Sequence, residues 1–384
     1  MQLPQEKHVN PAAGTPLAIE AGLLSERCIE CTLCRKECAF LRKYGSPKNI
    51  AERYGFAPAA AQSMAFACSL CQLCAAVCPV ALNPAAMFLE MRRASMAQGA
   101  MDGSRFGRIL NYEKRGISRR YSYYALPTGC DTVLFPGCAL SGTRPARVRQ
   151  LYAHLLKTIP RLGLVLDCCA SPSHSLGRQE SFHAVFNEMK EYLLHNGVRN
   201  VIVACPNCYM VFQRYGNGLQ ATTVYEYLSS APAKTAIAAT VAIHDPCATR
   251  NQPHIHSAVR RLISEGPLII QEMDHHGPQT LCCGEGGSVG CVAPDFSRKW
   301  GGKCRQEARG AMIVTYCAGC AHFLCASGPS CHILDLLFEP EATLAGKAKA
   351  AKAPWTSLNR LLLKRHFKKT IRAAAARVRT FTGT

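Results

Sequence analysis

No apolar run in this 384-residue chain is long enough to cross a bilayer, which takes about twenty residues as a helix. The opening stretch, MQLPQEKHVNPAAG, has no apolar h-region, so no signal peptide is expected. Acid is scarce, with 25 Asp and Glu against 45 Lys and Arg, a formal charge of +20. No Gly-rich dinucleotide fingerprint is evident, so any flavin is expected on a partner. Cysteine, by contrast, is abundant at 23 residues. Disulfide-rich secreted domains are usually short and follow a signal peptide, so this chain reads as a cytoplasmic metalloprotein whose thiolates bind iron or zinc. Metal-bound thiolates would also offset part of the positive count.

The cysteines fall in two zones. The first reads Cys28-x2-Cys31-x2-Cys34-x3-Cys38, then Cys68-x2-Cys71-x2-Cys74-x3-Cys78-Pro79. Each run has the spacing of a cubane [4Fe–4S] site, in which the fourth cysteine usually serves the other cluster. Cys28, Cys31, Cys34 and Cys78 are therefore expected at one cubane, and Cys68, Cys71, Cys74 and Cys38 at the other. Structural zinc tolerates C-x2-C pairs, but two such runs of four are far more specific for iron–sulfur. The helix-compatible sequence between the runs predicts a helical ferredoxin module.

The second zone is an internal repeat. Cys138, Cys168-Cys169 and Cys205-Pro-Asn-Cys208 recur as Cys247, Cys282-Cys283 and Cys317-Ala-Gly-Cys320, 109 to 114 residues later. Adjacent cysteines rarely pair with each other, because disulfide geometry is specific. Short β-branched runs such as DTVLFPGC, LGLVLDCC, NVIVACPNC, TVAIHDPC and AMIVTYCAGC lead into these cysteines, with helix-like segments at 178–195 and 256–264 between them. Strand–helix alternation predicts parallel α/β layers with ligands beyond the carboxyl ends of the strands. Five cysteines per repeat exceed what zinc or a cubane needs. Gly284, Gly286 and Gly287 are expected to leave room for a cluster and for something approaching it.

This pattern, doubled and preceded by a ferredoxin module, resembles the heterodisulfide reductase family over residues 20–338. The match is to a D subunit or to fused C and B subunits, with cysteine-rich CCG domains. The resemblance implies two cubane and two noncubane [4Fe–4S] clusters. Cys138, Cys168, Cys169, Cys205 and Cys208 would hold one noncubane cluster, and Cys247, Cys282, Cys283, Cys317 and Cys320 the other. It further implies reduction of a small-molecule disulfide by one-electron steps between the two. Ala170 departs from the glycine of the pattern, which Gly284 keeps. The alternative is an electron-transfer subunit of a membrane-associated dehydrogenase of the glycerol-3-phosphate, glycolate or lactate type, passing electrons towards quinone.

The fold expected is α+β multidomain: a helical 2×[4Fe–4S] module followed by two tandem Rossmann-like α/β CCG domains. The boundaries are a disordered 1–19, the ferredoxin module 20–99, a linker 100–128, CCG domains 129–235 and 236–340, and a basic tail 341–384. His244 is a candidate proton donor. Arg144 and Arg250 are candidates for an anionic substrate group, against a plain reading as solvated arginines. Cys130, Cys291, Cys304, Cys325 and Cys331 fit neither pattern and are expected in the core. The tail segment 355–372 alternates Trp355, Leu358, Leu361, Leu362, Phe367 and Ile371 with basic residues. It suits an anionic membrane surface on the inner face or a partner, the alternative being a disordered tail. Expected partners are a cytochrome b-like membrane protein, flavoprotein or hydrogenase, and no nucleic acid.

Overall fold

The computed structural model describes residues 14–228, 230, 232 and 236–380. Residues 1–13 of the stretch expected to be disordered lie outside this range, and a helix already begins at Pro16. The N-terminal module is built from helices Pro16–Arg27, Pro47–Tyr54 and Pro84–Ala97 with short turns around the cysteines, and no strand occurs among the described residues before Tyr123. Each long helix opens on a proline that fixes φ where no intrahelical N–H bond is needed. Thr15 Oγ1 accepts from the Ala18 N–H (3.2 Å), and Ser46 with Asn49 forms a reciprocal capping box, each cap worth roughly 1 kcal/mol. Phe40, Ile50, Met87, Phe88 and Met91 pack the interior.

The two cysteine runs share one loop geometry. Glu30 and Leu70 both have φ 51°, and Thr32 and Gln72 have φ 64° and 60°. Four non-glycine residues held left-handed, at matched offsets between successive cysteines, are costly. They curl each loop so that its thiols converge.

Among the described residues ten strands form two sheets: β1 (Tyr123–Leu126), β2 (Thr132–Phe135), β3 (Gly163–Leu166), β4 (Asn200–Val203), β5 (Gln220–Thr223), β6 (Ala239–His244), β7 (Leu268–Glu272), β8 (Met312–Thr315), β9 (Ser330–His332) and β10 (Ala375–Arg377). The first sheet runs β10-β1-β3-β2-β4-β5 and the second β7-β6-β8-β9. Strands β3-β2-β4-β5 and β7-β6-β8-β9 are parallel and have the same order, so the sequence repeat is a structural repeat. In both halves the chain reverses direction across the sheet beside the first strand of the repeat, the switch point where open α/β sheets bind ligands. Helices Gln179–His195 and Pro253–Ser264 match the expected helical segments within a few residues.

The stretch read as a linker contains helix Gly107–Gly116 and strand β1, which adds antiparallel to β3. The tail is likewise structured. Helix Trp355–Thr370 packs Leu363 and Phe367 into the core of the first domain, and β10 pairs with β1. Arg379 and Asp167 form a completely buried ion pair (2.7 Å), with the Tyr124 hydroxyl donating to the same carboxylate. In sequence the tail reads as a membrane or partner surface or as a disordered segment; instead Leu363, Phe367 and Ile371 face inward, while Trp355, Leu358 and Leu362 stay exposed.

Candidate metal centre

The ferredoxin module forms two pockets. One is lined by Cys28, Cys31, Cys34, Cys74 and Cys78. The other is lined by Cys38, Cys68, Cys71 and Cys74, and its wall includes Phe296 and Trp300 of the second cysteine-rich domain. The Leu70 N–H donates to Cys68 Sγ (3.3 Å), a contact that favours the thiolate, and the Leu82 N–H donates to Cys78 Sγ (3.4 Å). Burial, reinforced by neighbouring sulfurs, pushes the Cys34 and Cys68 thiols up to about 12.

In the first cysteine-rich domain, Cys138 follows β2, Cys168 and Cys169 follow β3, and Cys205 and Cys208 follow β4. The five converge. The Cys168 thiol donates to Cys138 and holds it below its usual range, while Cys208 bonds to both Cys169 and Cys205. A Cβ at Gly137 would stand 3.0 Å from Cys205 Cβ, so glycine lets Cys138 meet the C-x2-C pair. The second domain repeats this: Cys282 accepts from Cys247 and Cys283, and Cys283 bonds to Cys320. The two sites also meet. Cys317 donates to Cys205 across the domain boundary. On the other side Cys282 neighbours Cys71, Cys68 and Cys38 closely enough to raise their pKa values. Thiols thus run without interruption from the ferredoxin module, through the second domain, to the first.

This donor set fits iron–sulfur clusters. All 23 cysteines are unpaired. Eighteen of them lie in four groups of soft sulfur donors, the ligand type that iron–sulfur clusters take.

Several expectations change. His244 is buried, with Nδ1 on Thr315 Oγ1 (3.4 Å) and Nε2 on the Leu281 carbonyl (3.2 Å); burial lowers its pKa, and neither nitrogen is free to serve a substrate. Arg144 is neither solvated nor free: its Nε meets Asp335 (2.5 Å), which Arg147 also binds, joining the first domain to the second. Arg250 is buried and donates to the carbonyls of Cys71 (3.0 Å), Pro278 and Thr280, fastening the second domain to the ferredoxin loop. What approaches the glycine loop is that same ferredoxin loop: a Cβ at Gly286 would meet the Ser69 carbonyl at 2.5 Å, and one at Gly287 the Cys68 carbonyl at 2.9 Å. Gly284 instead makes room for Ser297. Ala170 adopts the left-handed conformation (φ 56°, ψ 25°) a glycine would take, so its methyl strains the backbone. Cys130, Cys304 and Cys331 are buried as expected, whereas Cys291 and Cys325 are exposed, each near the end of a short helix that leaves it facing solvent.

Other residues at the site escaped sequence reasoning. Tyr112, from the supposed linker, hydrogen-bonds Cys138, and Arg360, from the tail helix, stacks over the Tyr112 ring (5.7 Å) and donates to the Gly116 carbonyl (3.2 Å). Nothing in their spacing relates them to a cysteine. Arg92 is buried and donates to the carbonyls of Ala65, Phe66, Cys68, Ser175 and Gly287, tying the ferredoxin module to both other domains. Glu285 lies inside the CCGEGG loop, with burial and then Cys205 and Cys282 raising its pKa to about 7. Its signal was available: laying one repeat on the other sets Glu285 against Ser171.

Comparison with known proteins agrees with this division. Residues 27–83 match a 4Fe-4S dicluster domain, and residues 132–213 and 241–325 each match a cysteine-rich domain. The chain is 24% identical over 334 residues to the B subunit of fumarate reductase (CoM/CoB) of Methanothermobacter marburgensis, covering 76% of this chain and 66% of that one. It is 23% identical over 257 residues to EtfAB:quinone oxidoreductase of Syntrophomonas wolfei, covering 57% of this chain and 36% of that one. The chain therefore spans less than two thirds of the length of either relative. No described helix is long and apolar enough to cross a membrane. A dicluster domain followed by two cysteine-rich domains that pack sulfur to sulfur places this chain among the heterodisulfide reductase-like iron–sulfur proteins.

Proposed function

We propose that the chain is the iron–sulfur subunit of an oxidoreductase complex in which a small-molecule disulfide is reduced between the two five-cysteine sites. The ligands would be those expected from the sequence: Cys28, Cys31, Cys34 and Cys78, and Cys38, Cys68, Cys71 and Cys74, for two cubanes; Cys138, Cys168, Cys169, Cys205 and Cys208, and Cys247, Cys282, Cys283, Cys317 and Cys320, for two noncubane clusters. When bound, such clusters supply electrons one at a time. The carrying observation is the direct approach of Cys205 to Cys317, because a disulfide needs two electrons and a single place that receives both. The balance is one disulfide, two electrons and two protons to two thiols. The chain's own residues hold the donors in order, and Arg92, Arg250, Arg144 and Arg147 fix the three domains against one another so that the order persists.

A second reading is a pure relay towards quinone from a flavoprotein partner. The Glu285 carboxylate, which projects between the two sites, favours it, as does the similarity to a quinone oxidoreductase. The donor in either case is a partner subunit: a cytochrome b-like protein, a flavoprotein or a hydrogenase. Membrane contact narrows to one face of the tail helix, where Trp355, Leu358 and Leu362 are exposed in line with Arg365 and Lys369, a pattern that suits anionic lipid at the inner face. Flotation with vesicles of anionic phospholipid should recover the chain, and a W355S/L362S variant should stay behind.

The deciding measurement is iron and acid-labile sulfide in anaerobically purified protein. About sixteen irons per chain are expected, followed by disulfide-dependent oxidation of a reduced viologen. About eight irons, unchanged on reconstitution, would leave only the ferredoxin module filled and end the two-site reading. Sixteen irons without disulfide turnover, but with electron transfer to a quinone analogue, would establish the relay.

A further inference from the structure

The two five-cysteine sites match in sulfur and differ in one other donor. Glu285 stands two residues after the second doublet, where the first copy has Ser171. The Glu285 carboxylate, Cys283 Sγ and Cys320 Sγ all lie within 4.8 Å of one another. Among the described residues no hydrogen-bond donor reaches that carboxylate, and the sulfurs of Cys205 and Cys282 also act on it electrostatically.

A second difference accompanies the first. The C-x2-C pair of the second copy contains Gly319, where the first copy has Asn207. A Cβ at 319 would overlap the Glu285 carboxylate, which occupies that space. Large with small, Glu285 with Gly319, thus replaces small with large, Ser171 with Asn207. The glycine is what admits the carboxylate to the sulfurs. A carboxylate oxygen and two thiol sulfurs this close together form a donor set that one cation can take.

We propose that Glu285 is an oxygen ligand to iron in the second five-cysteine site, a sixth donor beside Cys247, Cys282, Cys283, Cys317 and Cys320, while the first site has sulfur donors alone. The inference rests on the proposed reading of both sets as iron–sulfur sites. Carboxylate oxygen is harder than thiolate and favours ferric iron, so the second site has the lower potential of the two. That site is also the one beside Cys71. It is therefore the entry for electrons from the ferredoxin module, and the all-sulfur first site is the one they reach last.

The test uses the full chain, purified without oxygen, with iron analysis, Mössbauer spectra and an EPR-monitored redox titration. The wild type should show two distinguishable noncubane components. Glu285→Gln, and Gly319→Ala by displacing the carboxylate, should each change the same component, raising its potential, and leave the other untouched at an iron content of about sixteen. In wild-type protein labelled with 13C-carboxyl glutamate, that component should carry a 13C hyperfine coupling, a readout that needs no variant to fold. Absence of the coupling, or variant spectra superimposable on the wild type at full iron, overturns the ligand. A wild-type content of about eight irons would instead overturn the underlying five-cysteine reading, and the ligand with it.

Discussion

Arg92→Met tests whether the three domains are held in register by one side chain. Arg92 is fully buried, and burial lowers its pKa to about 10, with Cys68 opposing. It faces no carboxylate. It donates instead to five carbonyls: Ala65 (3.2 Å), Phe66 (3.3 Å), Cys68 (2.6 Å), Ser175 (2.7 Å) and Gly287 (2.9 Å). An orphaned buried acceptor costs about 1 kcal/mol at the low end, which suits carbonyls that keep a second lone pair, so the five together are worth roughly 5 kcal/mol. The apolar methionine offsets about 1–2 kcal/mol of this by filling the space. The net loss of about 3–4 kcal/mol corresponds to a factor of roughly 10² to 10³ in the local unfolding that frees all five carbonyls, three within the ferredoxin module and two across its boundaries. Native-state hydrogen exchange is the assay, because a three-domain protein has no single unfolding free energy. Amides of the 66–72 loop and of the 284–289 loop should exchange together and faster by that factor. Arg92→Lys, which keeps charge but not the planar fork, should fall between. Acceleration of less than about fivefold in Arg92→Met, near 1 kcal/mol, would refute the argument.

Four other outcomes follow from single contacts. Ala170→Gly should raise the thermal midpoint, since relief of left-handed strain, about 1–2 kcal/mol, outweighs the 0.4–1 kcal/mol or so of added chain entropy; a lower midpoint would sink the strain argument. His174 is held neutral, its pKa lowered to about 3 first by burial and then by Arg93, Arg214 and His183, so its contribution is complete above the unfolded value near 6.5 and is lost as pH falls towards 3. At pH 5 this amounts to about 2 kcal/mol, and His174→Gln should flatten the stability profile between pH 7 and pH 5; parallel profiles would refute it. In the iron-loaded protein Cys291 and Cys325 should react at once with an aromatic disulfide reagent, whereas Cys130, Cys304 and Cys331 should react only on unfolding, as peptide mapping would show. Arg379→Met should cost about 3–5 kcal/mol by stranding the buried Asp167 carboxylate, and adding Asp167→Asn should recover most of it; a double variant as unstable as the single would count against the pair.

Cysteine positions were legible because iron–sulfur loops need thiols at short fixed offsets, and the duplicated strands were legible because each cysteine ends a buried β-branched run. The same local logic misread Arg144 and Arg250. An arginine three or six residues past a ligand looks exposed until the chain returns: Asp335 reaches Arg144 from 191 residues away, and the Cys71 carbonyl reaches Arg250 from 179. The tail failed for a related reason. A helix whose buried face is only Leu363, Phe367 and the stem of Arg360 has too weak a periodicity to stand out from its lysines. Gly286 and Gly287 were marked for close approach, but only the fold reveals that the approaching group is the Cys68–Ser69 backbone.

The repeat therefore supplies two equal sets of cysteines that the rest of the chain makes unequal. Around the second set the ferredoxin module adds several contacts: Arg250 on Cys71, Gly286 against Ser69, Arg92 on Gly287. Around the first set the module contributes Arg92 on the Ser175 carbonyl, and other elements add Tyr112 on Cys138, Glu113 accepting from the Ser173 N–H (2.9 Å), and Arg379 on the aspartate that accepts from the Cys168 N–H (2.7 Å). Cys282 of the second set neighbours Cys71, Cys68 and Cys38 of the ferredoxin module. Helices Gly107–Gly116 and Trp355–Thr370, which have no counterpart at the second set, set the first apart. The order ferredoxin module, second domain, first domain thus runs against the order of the chain after residue 128. It is imposed by packing, and the Cys205–Cys317 contact is where the two halves of the duplication meet.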